Sequence, residues 1–370
     1  MKVLYLAPIS DGTGYSHAAH DHIRSLLAAG INVVSRDIKL STYTDAVPKV
    51  VAATLDGNLD NVTHTVQHIL PYAFEWNSKA KHIGCFAYET DSIKPMGWHL
   101  MCNYMDAITT FSQHNVDMCV NSGVTKPVRK IPQACDITKY KKPGEFNAGV
   151  NPDNRYMFYC IADWSYRKNI SELIRAYLDE FTFSDNVILV LKTYCSGKTA
   201  DQSLQIITTE INQIKDKLRK NQNGNFPPIQ LICDRLSEDQ MAGLHQQGNC
   251  YVSVELGSGW CIPAFDALGF GNRVIAPNNG GHVDFCRERS ELFIELPTTL
   301  ESCYGMDRDT APYYELYSCH QKWHRPNYMD IKYSLRLAYQ NASSKINNSN
   351  WLQMYSYESV GKLWDKFLKE

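Results

Sequence analysis

The residues best suited to do chemistry gather in one stretch. An apolar run, Cys250-Tyr-Val-Ser-Val254, leads into Glu255, then Gly257-Ser258-Gly259-Trp260-Cys261-Ile262, then Pro263 and Asp266. Pro263 suits the first turn of a helix, expected over 264–268; a second glycine stop, Gly269 and Gly271, precedes a buried-type strand over 273–276. A strand, glycine turn, helix and strand in this order aim backbone N–H groups and a helix N-terminus at one point, which holds a diphosphate without a charged side chain. A second cluster, Arg167-Lys168-Asn169, precedes an amphipathic helix expected over 170–181. Cations near a helix start are disfavoured unless they face an anion, so this pair points to an anionic ligand.

The elements that must position these groups read as alternating strands and helices. Residues 3–7 form a strand followed by Asp11-Gly12-Thr13-Gly14, and residues 15–29 have helical spacing that stops at Gly30. The glycine loop thus falls at the carboxyl end of the first strand, where α/β proteins bind ligands. Further strands are expected at 31–34, 82–88, 107–111 and 128–131, with Glu89-Thr-Asp91 just past the third strand-like run. Glu89 and Asp91 can serve a reaction or cap a helix. The Gly/Pro/Asn-rich segment 143–153 is the expected linker. Strands at 156–162, 187–192 and 229–233 follow, with a long polar helix over 199–219 and an N-cap at Ser237. The last segment, 355–368, is amphipathic and reads as a docking helix.

At 370 residues, with 44% hydrophobic and 21% charged residues, the chain is long enough for two domains. A net charge of −2 argues against a strongly basic nucleic-acid binder. No apolar run approaches the roughly 18–20 residues needed to span a bilayer, and no signal-peptide pattern opens the chain. Twelve scattered cysteines without a CxxC pair fit reduced thiols, so a cytoplasmic location is expected. His17, His20 and His22 put at most two side chains on one helix face, so they are read as surface or substrate-lining residues and no metal is assigned. Asp307-Arg-Asp309 does not follow an apolar strand and is read as a surface loop.

Taken together, the ordered motifs resemble retaining glycosyltransferases of family 4, which have the GT-B fold. That family carries an acid, a Gly-aromatic-Gly turn, Pro and a second acid, with seven residues between the two acids. Aligned on Gly259-Trp260 and Pro263, the second acid is Asp266, Cys261 replaces a glycine, and the first acid's position is Ser258, with Glu255 three residues earlier. Either Glu255 takes that role or the role is lost. The resemblance implies an α/β chain of two Rossmann-like domains facing across a cleft. Their expected spans are 1–142 for the acceptor side and 154–350 for the donor side, with helix 351–370 returning to the first domain. It implies a nucleoside diphosphate sugar (UDP- or GDP-linked) as donor, bound through Gly12, Thr13, Gly14, Leu236, Glu255, Ser258, Gly259, Trp260, Cys261, Ile262 and Asp266. The Asn278-Asn-Gly-Gly-His282 turn would border the sugar. Glu89, Arg167 and Lys168 are the expected catalytic residues, the last two neutralising the diphosphate as a guanidinium beside an ammonium can. Tyr15 and Asp91 are placed on the acceptor side. No cofactor and no metal are expected. The acceptor is a glycan, a lipid-linked glycan or a modified base in DNA. Two rival readings are a catalytically inactive nucleotide-sugar-binding scaffold, motivated by Ser258 and Asp266, and an NAD-dependent oxidoreductase, motivated by Gly12-Thr-Gly14 with Asp37 downstream.

Overall fold

The structure is a computed structural model that describes every residue except 41–43, 146–148, 219–224, 304–313 and 343. The chain divides into two compact units. One comprises Met1–Thr138 with Ser349–Glu370, and the other Lys139–Asn348. The expected break after residue 142 thus falls after Thr138, and segment 143–153 belongs to the second unit. The reason is local: Gly144 N donates to Gln246 Oε1 at 2.8 Å and Glu145 N to Asp239 O at 2.9 Å. Gly144 and Gly243 also pack backbone to backbone, where a Cβ on either would clash.

The first unit is built on a six-stranded parallel sheet: β1 (Lys2–Ala7), β2 (Asn32–Asp37), β3 (His64–His68), β4 (Lys81–Cys85), β5 (Ala107–Thr110) and β6 (Val128–Lys130), in the order β2-β1-β3-β4-β5-β6. Val3, Tyr5 and Ala7 of β1 are fully buried, as a strand between two neighbours requires. Helices α1 (Gly14–Ala28), α2 (Lys49–Ala52), α3 (Trp98–Tyr104) and α4 (Gln113–Asn121) connect the strands. Thr13 caps α1 by accepting from Ser16 N, and Gly30 at φ +74° lets the chain leave it.

The second unit repeats the plan with β7 (Tyr156–Asp163), β8 (Val187–Tyr194), β9 (Ile229–Ile232), β10 (Cys250–Val252), β11 (Arg273–Pro277) and β12 (Phe293–Leu296), in the order β12-β11-β10-β7-β8-β9. All five pairings are parallel. The order reverses between β7 and β10, the topological switch point where such sheets open a ligand crevice. Helices α5 (Ile170–Glu180), α6 (Ala200–Leu218), α7 (Glu238–Gln247), α8 (Ile262–Gly269), α9 (Val283–Arg287) and α10 (Tyr328–Gln340) surround it. Phe158, Cys160, Leu189 and Leu191 meet Leu173, Ile174 and Tyr177 of α5 in the core. A separate antiparallel pair, β13 (Thr298–Ser302) and β14 (Lys322–Pro326), stands apart from the six-stranded sheet.

Two short elements return to the first unit, α11 (Ser349–Gln353) and α12 (Tyr357–Lys369). The amphipathic face of α12, with Val360, Trp364 and Leu368 buried, lies on α1. Gly361 makes the approach possible, since a Cβ there would stand 2.3 Å from Ser25 O. Trp364 Nε1 donates to His22 Nδ1 at 2.9 Å, and Tyr357 OH donates to Asp21 Oδ1 at 2.9 Å. The histidines of α1 therefore differ from expectation. His22 is fully buried and stacked on Phe111, and His20 is buried with Nε2 donating to Ile9 O; only His17 is exposed.

Candidate functional site

The ends of β7 and β10 bring two cations onto one buried carboxylate. After β7 the chain turns through Tyr166-Arg167-Lys168, and Asn169 adopts a left-handed conformation, φ +55°, before α5 begins. That turn is fastened to the loop after β10: Leu256 N donates to Arg167 O at 2.8 Å and Asn169 Nδ2 to Val254 O at 3.2 Å. The side chains close the link. Lys168 Nζ lies 2.5 Å from Glu255 Oε2, and Arg167 Nη1 donates to Gly257 O at 2.8 Å while standing 3.5 Å from the same carboxylate.

Glu255 is almost wholly buried. Burial opposes its ionisation, but Lys168, Arg167 and the neighbouring His282 reverse the balance and bring its pKa down to about 2. Burial likewise opposes the Lys168 charge, and Glu255 more than offsets it, raising the ammonium's pKa. Glu255 Oε1 has no hydrogen-bond partner among the described residues. His282 is buried with Nε2 2.7 Å from Pro277 O. A carbonyl can only accept, so Nε2 carries the proton and Nδ1 presents a lone pair, itself without a partner. Burial lowers the pKa of the ring, which favours the neutral form.

Next in the chain, the 258–262 turn enters α8. Cys261 holds φ +70° and ψ +73°, a left-handed conformation natural to glycine and strained for a residue with a side chain. Burial first, then the charge of Glu255, push its thiol far above the ordinary range, which leaves it unreactive. The following turn clamps this one: Gly281 N donates to Ser258 O at 2.7 Å, and a Cβ on Gly281 would fall 1.8 Å from Gly259 O. Trp260 packs its ring against Phe265 and Phe285, with centroids 5.8 and 4.9 Å away, so its side chain anchors the turn. Pro263 sits in the first turn of α8, as its fixed φ favours.

Not every expected residue joins this cluster. Asp266, one turn into α8, is held by Lys139 Nζ at 2.7 Å and Tyr140 OH at 2.6 Å. Burial raises its pKa, and Lys139, His245 and Tyr140 outweigh that and lower it. Leu236 lies in the turn before Ser237, which caps α7 in a reciprocal pair with Gln240. The β13–β14 hairpin, which has no counterpart in the sequence expectations, braces the site. Arg325 donates to Tyr166 OH at 2.9 Å and pairs with Glu301, His324 N donates to Leu256 O at 2.8 Å, and buried Trp323 packs with Leu256 and lies 6.0 Å from the Tyr166 ring. Its strands lack a period-2 apolar pattern, so no local signal marks them. Asp307 and Asp309 lie outside the described residues.

In the first unit, Asp11 Oδ1 accepts from Thr13 N at 3.0 Å and Thr13 Oγ1 at 2.7 Å, and Gly12 adopts φ +65°, shaping the Gly12–Gly14 loop. Tyr15 OH donates to Ala87 O at 2.7 Å, linking that loop to the segment after β4. Burial raises the Tyr15 phenol's pKa strongly, and the negative charge of Glu89 raises it further. Asn115 Nδ2 donates to Tyr88 O at 2.6 Å and fixes the backbone leading to Glu89 and Asp91. Asp37, which the oxidoreductase reading assigns to a ribose, instead accepts from Ile9 N at 2.8 Å and Ser10 N at 3.2 Å. Among the described residues no group of His, Cys, Asp or Glu is arranged to hold a metal, and no helix is long and apolar enough to cross a membrane.

Solved structures share this fold over the whole chain. HepE of Anabaena, in complex with UDP and glucose, is 10% identical and covers 100% of this chain and 99% of its own, with a TM-score of 0.66. A UDP-forming α,α-trehalose-phosphate synthase from Burkholderia xenovorans, in complex with glucose-6-phosphate, is 9% identical over 100% of both chains, with a TM-score of 0.68. A glycosyltransferase from Rickettsia africae is 12% identical, covering 100% of this chain and 97% of its own, with a TM-score of 0.62. No family model matches the sequence, and no curated protein matches it. The fold is GT-B, an α/β architecture of two parallel six-stranded sheets with flanking helices.

Proposed function

We propose that this protein is a retaining glycosyltransferase that moves a sugar from a nucleoside diphosphate sugar to an acceptor hydroxyl without a metal. The observation that carries this reading is the pairing of Lys168 and Arg167 with buried Glu255 beside the left-handed Cys261 turn and the start of α8. The neighbours solved with UDP support the donor class. In the reaction the bond between the anomeric carbon and the diphosphate oxygen breaks, the acceptor oxygen bonds that carbon, and the acceptor's proton leaves with the nucleoside diphosphate or to solvent. The 259–262 backbone and Arg167 and Lys168 stabilise charge developing on the diphosphate, the contribution expected to dominate. Glu255 Oε1 and His282 Nδ1 are unpaired acceptors suited to the hydroxyls of the sugar. Asp266, oriented by Lys139 and Tyr140, takes the ribose. Glu89 is assigned to catalysis, the Gly12–Gly14 loop to the donor, and Tyr15 and Asp91 to the acceptor side.

Thermal unfolding against UDP, GDP, ADP and dTDP, their sugar conjugates and NAD tests this. A ligand at about a hundred times its dissociation constant adds roughly 2.7 kcal/mol to the folded state. A midpoint shift with one diphosphate and its sugar conjugate is expected, followed by release of that diphosphate when an acceptor is supplied. A shift with NAD alone would overturn the assignment. Nucleotide binding without hydrolysis or transfer would favour the inactive scaffold.

A further inference from the structure

The carboxyl end of β8 holds a cation that none of the assignments above uses. Lys192 pairs in register with Ile161 of β7 on one side and Ile232 of β9 on the other, so it stands within the sheet at the strand ends. Its residue is only 8% exposed, yet its ammonium has no hydrogen bond or ion pair among the described residues. The nearest aromatic ring is that of Tyr194, with its centroid 5.7 Å from Nζ. A nearly buried cation held in no ion pair is unfavourable, and an apolar side chain would serve the fold as well. Burial lowers the Lys192 pKa, with only partial relief from Cys233 and Asp234.

Lys192 is tied to the proposed diphosphate site through backbone. Trp164 N donates to Tyr194 O at 2.8 Å, fastening the start of the 164–169 turn to the strand that carries Lys192. Two strand residues span about 7 Å, within reach of a lysine side chain. Arg167 and Lys168 both face Glu255, which engages part of their charge. A diphosphate arriving there shares those cations with Glu255.

We propose that Lys192 is a donor-binding residue whose ammonium takes a phosphate oxygen of the nucleoside diphosphate, adding a cation held in no ion pair to the Arg167–Lys168 turn. This rests on the donor assignment above. The test is calorimetric titration of the full chain and of Lys192→Met and Lys192→Arg with UDP, UMP and uridine, and with the guanosine series in parallel. Charge-assisted hydrogen bonds imply that Lys192→Met weakens diphosphate binding about ten- to a hundredfold, with a shallower salt dependence. Lys192→Arg should recover part of the loss, nucleoside binding should not change, and ligand-free Lys192→Met should melt no lower than wild type. Diphosphate affinity within about twofold of wild type in Lys192→Met would overturn the proposal and leave the donor assignment standing. An equal loss for nucleoside and diphosphate would also overturn it. Failure of wild type to bind either diphosphate overturns the donor assignment and this proposal together.

Discussion

Lys168 Nζ lies 2.5 Å from Glu255 Oε2, although the two residues are 87 positions apart in the chain. This contact sets an acid limit on the second unit. The native Glu255 pKa is depressed from 4.5 to about 2, so the unfolded chain binds the extra proton between those values. Stability from this carboxylate is therefore present above pH 4.5 and lost as pH falls toward 2, on the order of 3 kcal/mol in all. Denaturant unfolding at several pH values should show Glu255→Gln less stable than wild type at pH 6 but flatter across that window. Parallel pH profiles would show that the pair does not govern the response.

Cys261 should reverse the usual order of substitutions. Its φ of +70° strains any side chain, so Cys261→Gly should be more stable than Cys261→Ala by about 1 kcal/mol. Urea midpoints of the two variants decide it. Alanine equal to glycine would mean that the turn relaxes to a different backbone.

Arg325 acts through its neighbours. It holds Tyr166 OH and pairs with Glu301, steadying the turn that carries Arg167 and Lys168. On the glycosyltransferase reading, Arg325→Ala should raise KM for the donor about three- to tenfold with a smaller effect on kcat, and Arg325→Lys should recover part of it. A lowered melting temperature with unchanged KM would reduce the hairpin to a structural role.

His22 gives the first unit its own acid sensitivity. Burial drops its pKa from 6.5 to about 3, so the unfolded chain takes up a proton below pH 6.5 that the native state refuses. Stability is present above pH 6.5 and declines as pH falls toward 3. His22→Leu should lose about 1–3 kcal/mol at neutral pH, because Trp364 Nε1 loses its acceptor, and should show a weaker decline in that range. Near-ultraviolet circular dichroism across the titration measures both.

Local signals carried much of the fold. The apolar runs of β1, β7 and β8, the glycine stops and the Ser237 cap lie where the sequence places them, because each depends on residues within one turn or strand. The strand–turn–helix at 250–269 was legible for the same reason. What escaped depends on distant partners. Nothing near Asp266 announces Lys139 and Tyr140, and nothing near His22 announces Trp364, 342 positions away. The choice between Glu255 and Ser258 could not be made locally either. In the structure Glu255 meets both cations, while Ser258 lends its carbonyl to Gly281.

The first unit is assembled from both ends of the chain, with α12 laid on α1. During synthesis its opening 138 residues must therefore wait while Lys139–Asn348 is made, some 210 residues that take about ten seconds or more at ordinary elongation rates. Throughout that interval the surface of α1 that receives Trp364 is uncovered, whereas the second unit, continuous in sequence, can close on itself first. The birth order of the two units is thus the reverse of their order in the sequence, and a helix made after the whole second unit is the one that completes the first sheet's cover.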